Sequence, residues 1–149
     1  MRRIVSILVF AVALTVTGAF FISARPHAAQ PAFQLIVNEK NPVTSVERKF
    51  VEEAFLKKVS RWSTGNLIRP VDLSPGSAAR SQFSQDILGR SVAAVKSYWQ
   101  QLIFSGRDVP PPEVDTEEQV VRYVVNHGGA VGYVSGGAVA NGTKILTVR

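Results

Sequence analysis

Apolar and polar positions divide the chain into one long leader and a series of short alternating elements. Residues 4–22, IVSILVFAVALTVTGAFFI, carry no charge and follow Met-Arg-Arg. A short positive flank before an apolar run is the pattern of a secretory signal. The run also approaches the ~20 residues needed to span a bilayer, so residues 1–29 read as an export signal or an N-terminal membrane anchor. Residues 25–32, RPHAAQPA, read as a linker, and 30–149 as one domain.

Beyond the linker, FQLIV (33–37) predicts a buried strand. Thr44 to Glu47 spells T-S-V-E, a capping box that predicts a helix over 45–59. LIRPVDL (67–73) predicts a strand that Pro70 confines to an edge or an end. Ser77, after the Ser74-Pro75-Gly76 turn, predicts the cap of a helix over 78–88, with Ala79, Phe83 and Ile87 as one apolar stripe. Ser91 opens a helix over 92–104, with Val92, Val95, Trp99, Leu102 and Ile103 on a face. SGRDVPPPEV (105–114) is a stiff proline loop. Thr116 to Gln119 is a second capping box, opening a helix over 117–126 that Gly128 and Gly129 stop. AVGYV (130–134) and Ile145 to Val148 predict the last strands. Strands separated by helices predict an α/β domain, a sheet of about four strands with helices on both faces.

Composition narrows the chemistry. With 46% apolar and 19% charged residues, the 149-residue chain can bury a core. The absence of Cys excludes disulfides, thiolate metal sites and thiol nucleophiles, and His27 and His127 stand far apart, which disfavours a zinc site or a His-dependent triad. The net charge of +6 owes Arg2, Arg3 and Arg25 to the leader; residues 30–149 hold 14 basic and 11 acidic residues, too little excess to argue for nucleic acid. No metal or cofactor is expected.

Four segments, in order, resemble the phosphate ABC transporter substrate-binding proteins, the type II periplasmic binding protein family. They are LIVNEKNPVTS (35–45), AFLKKVSRW (54–62), PVDLSPGSAARSQF (70–83) and GGAVGYVS (128–135). The second is similar to the family's IF-x-G-K-(I/V)-x-x-W segment, with Ala54 and Lys57 departing from it. The third stands at the family's R-x-x-G-S-G-T-R-x-x-F loop, and the fourth is similar to its PGAIGY strand. YWQQLIFSGRDVPPPEV (98–114) further resembles a short, single-lobe subgroup. The resemblance implies a three-layer αβα single lobe, preceded by the leader, and an exported, periplasmic or secreted, non-catalytic protein. It also implies a phosphate ligand, held in full-length members between two lobes, of which this chain has room for one.

In the binding loop Ser77 matches the family's Ser, Ala78 and Ala79 replace its Gly and Thr, and Asp72 or Leu73 stands where its Arg is expected. Arg80 matches the Arg that follows the core motif. A candidate anion site therefore comprises the Ser77 hydroxyl, the Ala78, Ala79 and Arg80 amides at a helix N-terminus, and the Arg80 side chain. Asp72 would repel an anion there, so weak phosphate binding or none is expected. The bland alternative is that Ser77 is a plain N-cap. Trp62, Trp99 and Tyr133 read as core, and His127 as a residue favoured by a helix C-terminus. Glu52 and Glu53 read as a solvated face, and Glu117 and Glu118 as first-turn acids favoured by the helix dipole. Nothing assembles a nucleophile, base and oxyanion donor. Expected partners are an oxyanion, or a second copy or another protein completing the missing lobe, with membrane contact only through an uncleaved leader. The rival reading is an interaction module that docks a sensor or transporter.

Overall fold

A computed structural model describes residues 31–149; the expected signal or anchor, 1–29, lies outside the described residues. In chain order the elements are β1 (Phe33–Asn38), β2 (Ser45–Val46), α1 (Arg48–Phe55), β3 (Arg69–Pro70), β4 (Asp72–Leu73) and α2 (Ala78–Asp86). There follow α3 (Val92–Phe104), β5 (Glu113–Val114), α4 (Glu117–Asn126), β6 (Ala130–Ser135), β7 (Thr143–Ile145) and β8 (Thr147–Val148). No helix among the described residues is long and apolar enough to cross a membrane.

The main sheet has four strands in the order β3-β6-β1-β7. β1 runs antiparallel to β6 and β7, while β3 runs parallel to β6. Leu35 lies opposite Tyr133, and Ile36 opposite Gly132, which sorts the side chains onto two faces. On the first face Tyr133 stacks on Phe83 of α2 at 4.0 Å and lies 5.9 Å from Phe55 of α1. On the second, a Cβ at Gly132 would come within 2.5 Å of Val120 and 2.9 Å of Val71, so α4 closes on the strand only because residue 132 has no side chain. Helices thus cover both faces, in the three layers expected.

Local patterns survive where no distant strand competes. Ser91 caps α3 through the Ala94 amide, and Thr116 and Gln119 close the capping box of α4. The T-S-V-E box fails. Ser45–Val46 pairs in parallel with Thr147–Val148, and the Thr44 carbonyl accepts the Thr147 amide. α1 therefore starts at Arg48, with Glu47 as an N-cap that makes no side-chain bond, and ends at Phe55, well short of 59. Lys57, at φ 53°, turns the chain out of the helix.

Two other expectations are revised. The strand over 67–73 is divided: β3 pairs with β6 at the sheet edge, as Pro70 requires, while β4 leaves the sheet to pair with β5 inside the expected proline loop. The last strand is divided at Leu146, with β7 on the main sheet and β8 on the two-stranded β2–β8 ladder.

Candidate functional site

β4 ends at Leu73 and the chain turns through Ser74, Pro75 and Gly76 into α2. Two backbone bonds hold this turn: Ser74 N donates to the Val114 carbonyl at 2.8 Å, and Ser77 N to the Ser74 carbonyl at 3.1 Å. Ser77 is extended, and its Oγ accepts the Arg80 amide at 3.3 Å. The Ala78 and Ala79 amides have no acceptor among the described residues, as befits the first turn of a helix. Ala78 is exposed and Ser77 half-buried, so this end of α2 faces solvent, with the positive end of the helix dipole outward.

Arg80 goes the other way. Its side chain is 5% exposed and forms an ion pair with Asp72, itself buried at the end of the short β4 strand. The Tyr133 hydroxyl, reaching from β6, donates to Asp72 Oδ1. The Leu73 amide is shared between Asp72 Oδ1 at 3.1 Å and the Tyr133 oxygen at 3.3 Å. Arg80 Nε and the Ser84 hydroxyl are buried without a partner among the described residues. Burial pushes the Arg80 guanidinium below its ordinary range, against the favourable charge effects of Tyr133 and Glu113. Burial also pushes the Tyr133 phenol up to about 12, against the opposing pull of Arg80.

This network floors a groove of about 620 Å³ between α3 and the proline loop, with Val92, Trp99 and Ile103 on one wall and Pro110 to Pro112 on the other. Lys96 and Gln100 bring polar groups to the rim. The structure therefore gathers Ser77, Ala78 and Ala79 at one helix end, with the Ala78 amide exposed and Ala79 buried, and commits the charge of Arg80 to Asp72. Asp72, expected to repel an anion, has its charge matched by that pair.

The remaining candidates fall out simply. Trp62, Trp99 and Tyr133 are buried, the Trp62 indole donating to the Gly129 carbonyl at 3.0 Å. His127 caps the C-terminus of α4, its Nδ1 2.8 Å from the Tyr123 carbonyl. Glu52 and Glu53 flank Lys49 on the α1 surface. Glu117 does more than meet the helix dipole: Oε1 accepts both the amide and the hydroxyl of Ser135, tying α4 to the end of β6. The Asp72–Arg80–Tyr133 network was missed in sequence. Its one signal was an isolated acid between Val71 and Leu73, a charge inside an apolar run that demands a partner.

No protein-family model matches the chain, and no curated protein matches it. Solved structures do. An ABC-type phosphate transport receptor from Vibrio cholerae superposes with a TM-score of 0.61 at 20% identity over 78% of this chain and 46% of its own. A phosphate ABC transporter substrate-binding protein with bound phosphate, from Clostridium perfringens, gives 0.62 at 21% over 78% and 44%. PstS from Borrelia burgdorferi gives 0.61 at 13% over 79% and 47%. The fold is thus that of part of these receptors, and the chain spans under half of their length.

Proposed function

We propose that the chain is an exported, non-catalytic, solute-binding-protein-like domain of the periplasm or cell exterior that holds phosphate or a related oxyanion weakly at the start of α2. The observation that carries this reading is the solvent-facing α2 terminus, where the Ser77 hydroxyl meets the exposed, acceptor-free Ala78 amide on a receptor-type fold. Binding is weak because the family's hydroxyl at residue 79 is a methyl and Arg80 already neutralises Asp72. Titration calorimetry with inorganic phosphate at low salt tests it. A saturable heat in the millimolar range, about 4 kcal/mol of affinity, is expected, and Ser77→Ala should weaken it. The absence of both heat and thermal shift at millimolar phosphate would overturn the reading.

A second reading has its own support. Ile103, Phe104 and Val109 stand 49%, 90% and 59% exposed beside the groove, an arrangement suited to protein docking. In that reading the domain serves as an interaction module for a sensor or transporter, with the solute site lost. A strict monomer that captures no partner from its own membrane fraction would argue against it.

A further inference from the structure

The opposite end of the sheet carries a second cavity that the receptor-type reading leaves unused. It measures about 560 Å³ and lies where β1 ends, β3 begins and the 127–129 turn leads into β6. Lys40, Asn41, Asn66, Arg69, Asn126 and His127 line it, and no carboxylate is in its wall. Lys40 and Arg69 are exposed and make no ion pair among the described residues. Two cations facing one space with no counter-charge favour an anion there.

Asn41 is a fixed part of the wall. It is 4% exposed, and its Oδ1 accepts the Val43 amide at 3.0 Å, which fixes the orientation of the side-chain amide. Its Nδ2 is left without an acceptor among the described residues, an uncommon state for a buried donor. His127 is fixed as well: Nδ1 faces the Tyr123 carbonyl and the ring stacks on Tyr123 at 4.2 Å, so in the neutral ring Nε2 is an acceptor. The last carbonyls of α4 oppose an anion with about half a charge, against two full positive charges.

We propose that this cavity binds a small phosphate monoester bearing hydroxyl groups, such as a sugar phosphate. Lys40 and Arg69 hold the phosphate, Arg69 through paired N–H groups. The Asn66 and Asn126 amides, which both donate and accept, and His127 Nε2 meet the hydroxyls. The volume admits a molecule of that size.

Titration of the full chain with glucose 6-phosphate, glucose and inorganic phosphate tests this. Glucose 6-phosphate is expected to bind, and glucose to give no heat. Replacing both exposed cations, Lys40→Ala with Arg69→Ala, should weaken glucose 6-phosphate at least about tenfold. Asn41→Asp, which keeps the Val43 bond and sets a carboxylate in the wall, should abolish it. Ser77→Ala should leave it unchanged, which separates this cavity from the α2 terminus. No heat at millimolar glucose 6-phosphate, unchanged binding in the double variant, or loss in Ser77→Ala would overturn the proposal. Should Asn41→Asp fail to fold, the double variant, altered only at exposed side chains, decides alone.

Discussion

Asp72 and Arg80 illustrate how one residue's partner decides its role. A buried ion pair is costly to form, yet costlier to break, because the surviving charge stays in the interior. Asp72→Ala should therefore cost about 3–5 kcal/mol, whereas Asp72→Leu with Arg80→Met should cost much less than the two single changes together. Urea unfolding of the four species measures that difference. Tyr133 adds a pH dependence. Its phenol titrates at about 12 in the folded chain against an ordinary 10.0, so the native state holds the proton more tightly than the unfolded one. Stability from this group is complete below pH 10 and falls as pH rises towards 12, by about 2–3 kcal/mol in all. Tyr133→Phe should flatten that alkaline decline, as read by thermal unfolding across the range. Lys57 is the third case. At φ 53° it occupies a conformation that suits Gly, and it stands where the resembled family carries Gly. Lys57→Gly should gain about 0.5–1 kcal/mol, after loss of the half-exposed 3.5 Å pair with Asp108, visible as a melting point raised by a few degrees.

The two capping boxes are a controlled comparison at the scale of elements. T-x-x-Q at 116–119 closes as drawn, whereas T-x-x-E at 44–47 does not, because 45–46 is claimed by a strand about a hundred residues later in the chain. Thr116→Ala should cost about 1 kcal/mol, while Thr44→Ala, at an exposed side chain whose carbonyl does the bonding, should stay within ~0.5 kcal/mol. Denaturant midpoints of both variants check the pair. The same contrast explains what the sequence made legible. α2, α3 and α4 are announced by local residues: Ser77, Ser91, Thr116 and the apolar stripes behind them. β4 pairing with β5, and β2 with β8, depend on partners tens of residues away, and two-residue strands leave no periodicity to read. The site divides likewise. Ser77, Ala78 and Ala79 were readable from a turn and a cap. The inward course of Arg80 was not, since it depends on where β6 delivers Tyr133.

At the scale of the whole molecule the governing fact is that one layered unit fills under half the length of the receptors it superposes on. In this unit the apolar side chains Ile103, Phe104 and Val109 meet water. Phe104, Ile103 and Val109 lie at the end of α3 and the start of the proline loop, next to the groove that the Asp72–Arg80 pair floors. Burying such a cluster gains about 25 cal/mol for each Å² removed from water, offset by the cost of association. A second copy offers the same patch, and a twofold arrangement would bring the two together with no new sequence required. The chain should therefore self-associate reversibly, its average mass in sedimentation equilibrium rising with concentration. Phe104→Ser with Ile103→Ser should hold it monomeric while moving its stability by no more than about 0.5 kcal/mol, as expected of exposed positions. A wild-type chain that stays monomeric at every concentration would refute self-association through this patch.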